Sequence, residues 1–408
     1  MNVTGSFEIF QVNGLKVLFH RNESFLTNIQ ILTRVGSTAE EPDIQGMAHI
    51  LEHMFFKGSR KREGGSTISR AANDIGGKLN AYTTYDHTVY YITVLNENFR
   101  EGLDILGDMY QHPLFPEDEF RKELNPILSE FREREDDPDS FLMERALASY
   151  MGQEYHPVIG TQATIQSATV EGMHKFKNRY YGGNNTMIAV VGGMDREEVE
   201  AAIREQFAEQ SATDEPPRKL FQYHPGEVTL TKPGIQEAYY QLYYPALEPG
   251  HPDRYKQDVM CYLLGGNDSA LLFERIREEL GMSCYGVYAY QMRFEPFSLL
   301  SVACGIAPNE LDRMEGEVQD QIKKICNERL SQEQLDRAKA SLRTSLAAKS
   351  ETSSGLGSMI SVSVLRGETE HPVQKALGEL EAITLDDVLE SAQATFAREP
   401  FRAVMLPE

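Results

Sequence analysis

The sequence predicts an α+β fold built from two similar domains, and three observations lead there. Stretches with strand-like alternation and stretches with helical period follow one another irregularly, not in the strict order of a doubly wound sheet. At 408 residues the chain is too long for one ordinary core. A polar stretch at residues 208–225, carrying Asp214-Glu215-Pro216-Pro217, then divides it into halves whose order of elements loosely repeats. The expected limits are residues 1–210 for the first domain, 211–225 for a linker and 226–408 for the second.

In chain order, residues 7–19 read as two strands joined at Asn13-Gly14, a dipeptide suited to the left-handed backbone of a tight hairpin. Residues 28–35 read as a further strand. From Asp43 to Phe56 the apolar period becomes helical, with Asp43 as a candidate cap and Gly58 as a stop. Residues 78–95, rich in Tyr, Thr, Val and Ile, form one or two strands; residues 99–109 and 117–135 have helical patterns with acidic first turns. Met187 to Val191 is an apolar strand, and Gly192-Gly193 is a simple turn into a helix from Asp195, since the dinucleotide and P-loop fingerprints are absent. After the linker come a strand pair at 226–242, an apolar helix near 257–264, strands at 283–305 and long helices.

A formal charge of -22 argues against nucleic acid as a partner, because phosphates need a Lys/Arg surplus on some face. With 41% hydrophobic and 25% charged residues the composition is that of a globular protein. No apolar run approaches the roughly 20 residues of a membrane helix. Cys261, Cys284, Cys304 and Cys326 show no CxxC spacing, and residues 1–23 resemble neither a signal peptide nor a transit peptide. A reducing, cytoplasmic location is the expectation.

Chemistry concentrates in His49-Ile50-Leu51-Glu52-His53. On a helix, residues four apart stack one turn above the other, so both imidazoles share a face with Glu52 beside them. Neutral imidazoles suit zinc; a hydrolytic zinc site takes three protein ligands and leaves a fourth position for water, whose proton a nearby carboxylate can accept. The order His-x-x-Glu-His is the inverzincin signature. The second half has no comparable His/Glu cluster.

Gly46-Met47-Ala48 before this motif and Phe56-Lys57-Gly58 after it make the chain resemble the pitrilysin-like inverzincin zinc peptidases, and most closely their mitochondrial-processing-peptidase branch. The resemblance implies a third zinc ligand, Glu130, 77 residues beyond His53, and a supporting catalytic-site glutamate, Glu123, seven residues before it. Seven residues is about two helical turns, so the two carboxylates can share a face, although Pro126 stands between them. Gly76-Gly77-Lys78-Leu79-Asn80-Ala81-Tyr82-Thr83 is similar to the family's segment in which the asparagine lies near zinc and an edge strand pairs with substrate backbone, which points to Asn80 and Ala81. In the second half, Arg277 and Tyr285 match the arginine and tyrosine that hold substrate, with Tyr288 as the fallback for the tyrosine.

What the resemblance implies is a zinc endopeptidase, one Zn2+ per chain, acting on unfolded peptides. Half-clamshell subunits of this kind enclose a chamber, as a homodimer or as a heterodimer with a homologous subunit. The expected roles are His49, His53 and Glu130 as metal ligands, Glu52 as base, Glu123 as support, and Asn80, Ala81, Arg277 and Tyr285 on substrate. The alternative is a noncatalytic peptide-binding or partner subunit of a processing peptidase. A non-haem iron oxygenase is disfavoured by the helix-borne motif.

Overall fold

The computed structural model describes residues 6–217, 219 and 221–408; Arg218 and Leu220 of the expected linker and the side chain of Tyr285 lie outside the described residues. The chain forms two compact units that interleave: Met1–Arg132, His156–Lys219 and Ala347–Val373 make the first, Glu133–Tyr155, Leu220–Leu346 and Gln374–Glu408 the second. A single cut at 211–225 therefore misplaces two segments, because each sheet takes a helix from the other half of the sequence.

The first unit is built on a sheet of β1 (Glu8–Val12), β2 (Leu15–Arg21), β3 (Leu26–Thr33), β4 (Lys78–Thr83), β5 (Thr88–Leu95) and β6 (Thr186–Gly192), in the order β1-β2-β6-β3-β5-β4. The β1–β2 hairpin turns at Asn13 and Gly14, with φ of 49° and 77°. Asn13 tolerates that backbone, and its side chain donates to the carbonyls of Arg204 and Phe207. Residue 78–95 resolves into two antiparallel strands, and β4 is the edge.

Around this sheet lie α1 (Met47–Phe55), α2 (Thr67–Asp74), α3 (Phe99–Gln111), α4 (Glu117–Asp136, whose last turn passes into the second unit), α6 (Gln162–Ser167), α7 (Val170–Tyr180) and α8 (Arg196–Gln206), while α5 (Pro138–Met151) belongs wholly to the second unit. One face of the sheet, with Val17, Phe19, Ile29, Ile31, Ile92 and Val190, packs into a core with Leu51, Met54, Phe55, Leu103 and Leu106 of α1 and α3. The other face carries Asn28 and Gln30, both buried. Buried amides need partners, and helix 353–365, reaching across from the C-terminal half, supplies them. Ser361 Oγ donates to Gln30 Oε1 at 2.8 Å, Gln30 Nε2 donates to Asn28 Oδ1 at 2.7 Å, and Asn28 Nδ2 donates to Thr93 Oγ1 at 2.9 Å. Gly357 allows the close approach: a Cβ there would stand 2.9 Å from Gln30 Nε2.

The second unit has β7 (Gly226–Lys232), β8 (Ala238–Pro245), β9 (Cys284–Arg293), β10 (Ser298–Ile306) and β11 (Phe401–Pro407), in the order β7-β11-β8-β10-β9. The strands at 226–242 are thus not a pair: β11, from the end of the chain, lies between them, parallel to β7 and antiparallel to β8. In the first sheet β6 sits in the same way, parallel to β2 and antiparallel to β3. Both sheets therefore share one pattern, and β9 stands at the edge that corresponds to β4. The helices here are α9 (Arg254–Gly265), α10 (Leu271–Phe273, continuing as a π-turn over Glu274–Glu279), α11 (Leu311–Asn327), α12 (Gln332–Ser350), α14 (Pro372–Ala382) and α15 (Leu385–Phe396), α13 (Ser353–Leu365) being the helix given to the first unit. Leu142, Ala146, Leu147 and Tyr150 of α5 are fully buried, and the helix packs on β8 and β11.

Within the first unit, His20 on β2 and His371 are both buried, with ring centroids 5.5 Å apart. Burial and then the neighbouring His371 press the His20 pKa down to about 4, and burial lowers that of His371. Both imidazoles are thus neutral in the fold. Because the folded pKa lies below the unfolded value near 6.5, the unfolded chain binds more protons in acid, so stability is complete above pH 6.5 and falls toward pH 4. For His20 the loss is on the order of 3 kcal/mol, at about 1.4 kcal/mol per pKa unit. Thermal melts at pH 7 and pH 4.5 should show a smaller acid loss for His20→Leu than for wild type; equal losses would place the acid sensitivity elsewhere.

Candidate metal centre

The local sequence explains how α1 is set. Gly46 precedes the helix with φ of 90°, and a Cβ there would meet the Ile159 carbonyl oxygen at 2.5 Å, so glycine is needed on both counts. Asp43 does not cap this helix; it lies in a separate 3-10 turn, Pro42–Ile44. The cap comes from Glu40, whose Oε2 accepts from the Gly46 N–H and Oε1 from the Ala48 N–H, each at 2.7 Å. Two N–H groups and the positive helix end suit a carboxylate, even though complete burial pushes the Glu40 pKa well up. Met47, Ala48, Ile50, Leu51, Met54 and Phe55 anchor the helix in the core, and His49, Glu52 and His53 face α4 and β4.

Three donor atoms converge there. His49 Nε2 lies 3.4 Å and His53 Nε2 3.6 Å from Glu130 Oε2, and the ligand atoms of the three residues all lie within 4.8 Å of one another. A tetrahedral zinc with bonds of about 2.0–2.2 Å sets its ligands about 3.3–3.6 Å apart, so this spacing fits a zinc ion. The donor set of two imidazoles and one carboxylate fits as well.

Glu123 and Glu130 are both on α4, which runs unbroken through Pro126. Glu123 Oε1 lies 3.0 Å from His53 Nδ1, and its Oε2 pairs with Lys57 Nζ at 2.5 Å. With Glu123 ionised, Nδ1–H is the group that faces it, so Nε2 is the atom left to ligate when a metal takes the place of its proton, the carboxylate–imidazole arrangement that fixes a ligand's tautomer and orientation. Burial opposes charge on His53, but the bonds to Glu123 and Glu130 and the field of Glu52 outweigh it and push the pKa up to about 9. The field that favours a proton on Nε2 favours a metal cation there. His49 is less supported: its Nδ1 is buried without a hydrogen-bond partner among the described residues.

Glu52 Oε2 accepts from the Thr83 hydroxyl at the end of β4. Asn80 and Ala81 lie on the same edge strand, opposite Tyr91 and Tyr90 of β5, and Asn80 Oδ1 accepts from the Ala81 N–H at 2.9 Å. Arg277 and Tyr285 belong to the second unit: Arg277 is exposed on the π-turn with its guanidinium 5.1 Å over the Phe273 ring, Tyr285 lies in β9, and Tyr288 is on that strand 39% exposed. The structure thus gathers His49, Glu52, His53, Glu123 and Glu130 into one cluster, which meets β4 at Thr83.

Three participants escaped the sequence reading. Lys57 had only its place in Phe56-Lys57-Gly58 as a signal, since it lies in the turn past the end of α1. Glu40 and Thr83 had none, since each reaches its partner through the fold.

Residues 16–161 match the family model described as "Insulinase (Peptidase family M16)", and residues 167–342 match "Peptidase M16 inactive domain". The first match contains the whole cluster and the second none of it. Among curated proteins, the chain is 28% identical over 402 residues to an "uncharacterized zinc protease" of Bacillus subtilis (strain 168), covering 97% of each chain. It is 28% identical over 400 residues to one of Rickettsia felis, covering 97% of this chain and 96% of the relative. A crystal structure of a protease from Helicobacter pylori superposes with a TM-score of 0.91 at 23% identity, covering 99% of this chain and 100% of that one. A putative M16-like peptidase from Alicyclobacillus acidocaldarius superposes at 0.83 with 20% identity over the full length of both chains. Matched in both its halves, the chain belongs to peptidase family M16.

Proposed function

We propose that this chain is a zinc-dependent endopeptidase that hydrolyses unfolded peptides. The observation that carries the reading is the convergence of His49 Nε2, His53 Nε2 and Glu130 Oε2 beside the carboxylate of Glu52. The zinc-protease names of the relatives support it.

His49, His53 and Glu130 hold the zinc ion, which when bound lowers the pKa of a water and polarises a carbonyl. Glu52 takes the water proton and delivers it to the leaving amine nitrogen. Glu123 keeps His53 in its ligating tautomer, and Lys57 holds Glu123 from its other oxygen. β4 offers edge N–H and C=O groups to an extended peptide, a main-chain recognition that tolerates many sequences. Arg277 and Tyr285 contribute to placing the substrate, and the chain works as a homodimer or with a homologous subunit around a chamber, in the cytoplasm. Among the described residues, no helix is long and apolar enough to cross a membrane.

The test is cleavage of an internally quenched basic peptide by purified protein, before and after a chelator, with metal analysis. Cleavage that the chelator abolishes and zinc restores, at about one zinc per chain, is the expected result. Bound zinc without cleavage would replace the reading with a noncatalytic peptide-binding subunit.

A further inference from the structure

Glu52 sits on α1, but what holds its carboxylate comes from another element. Thr83, the last residue of β4, donates its hydroxyl to Glu52 Oε2 at 2.6 Å. Oε1 accepts no hydrogen bond among the described residues. Thr83 is itself firmly held. It pairs with Thr88 in the β4–β5 ladder, and Thr88 is fixed in turn by donating its hydroxyl proton to the Val35 carbonyl at 2.8 Å. The turn after it closes by Thr84 N–H to the His87 carbonyl at 2.8 Å. Threonine's branched Cβ restricts χ1, so the hydroxyl keeps its aim. A free glutamate on a helix turns among rotamers, and only some of them point a lone pair at the zinc position.

We propose that Thr83 is the positioning residue of the base: it grips Glu52 by Oε2, leaves Oε1 to meet the attacking water, and ties the base to the strand on which substrate lies. The inference rests on the peptidase reading. Two consequences follow. Valine at position 83, which keeps the shape and strand preference but lacks the donor, disorders the base without touching the metal ligands. Serine keeps the donor.

In Thr83→Val the expected kcat falls about 10- to 100-fold, the scale of losses from misplaced catalytic groups. KM should stay within about twofold, with zinc content and melting temperature unchanged, and Thr83→Ser should recover most of kcat. A purely structural role would move the melting temperature and KM as well. Thr83→Ala, assayed alongside, removes the donor without adding bulk, so a strand perturbed by valine does not decide the matter. A kcat within twofold of wild type in either variant overturns the proposal. Crystal structures of wild type and Thr83→Val read the same point without turnover: Glu52 should change its orientation in the variant, and an unmoved Glu52 also overturns the proposal. A zinc-loaded wild type that cleaves nothing would sink the peptidase reading instead, leaving the orientation of Glu52 to decide the role of Thr83.

Discussion

Glu52→Gln is expected to lower kcat/KM by about 10³-fold while leaving zinc content at the wild-type level. Glutamine is isosteric and its amide oxygen can still accept from Thr83, so the scaffold of α1 and β4 is preserved. What is lost is the ability to take a proton at Oε1. Positioned acid–base groups contribute about 10²- to 10⁴-fold, and 10³ corresponds to about 4 kcal/mol of barrier. Steady-state cleavage of a quenched peptide together with metal analysis measures both quantities. A variant within tenfold of wild type would show that Glu52 is not the base and would return attention to the other carboxylates, Glu123 and Glu130.

Glu130→Gln should weaken zinc binding by more than about 100-fold, the upper end of what losing an outer-sphere partner costs. Glu130 Oε2 is the carboxylate oxygen that faces the Nε2 atoms of both imidazoles, 3.4 Å from His49 Nε2 and 3.6 Å from His53 Nε2. An amide keeps the volume but removes the negative charge and presents a much poorer donor to a divalent cation. Competition with a chelating dye gives the dissociation constant independently of catalysis. Glu130 is about one-third exposed, so the fold should persist and the melting temperature of the metal-free protein should hardly change. Unchanged zinc affinity would exclude Glu130 as the third ligand.

The contrast between these two residues shows how legible the site was. His49, Glu52 and His53 lie within a single turn and a half of one helix, where spacing alone decides which side chains share a face. Glu130 lies 77 residues away and had no local mark beyond an acidic helix; its candidacy came from likeness to a family. Lys57 was marked only by its place in Phe56-Lys57-Gly58, because it stands two residues past the end of α1 in the turn that follows. Glu40 was not marked, because its partners are the Gly46 and Ala48 amides of α1, met through the fold of an irregular segment. The expected cap at Asp43 failed for that reason: a capping signature is a local rule, and here the start of the helix is set by a positive-φ glycine and a carboxylate from farther upstream.

The fold divides along the same line. The Asn13-Gly14 hairpin, the edge strand at Lys78–Thr83 and the helix Phe99–Gln111 follow from turn chemistry and periodicity, which act over a few residues. The placing of β11 between β7 and β8, and the assignment of α5 and α13 to the sheet of the other half, do not. By itself the sequence determined the α+β class, two similar units and one helix with two imidazoles and a carboxylate on a shared face. Only the tertiary structure decided which strand lies between which, that Asn28 and Gln30 are satisfied by Ser361, and that Glu130, Glu123 and Thr83 converge on the helix. The physical reason is range: propensity and period are properties of neighbours along the chain, whereas the need to pair every buried polar group and cover both faces of a sheet is met by whichever distant segment the packed structure brings there.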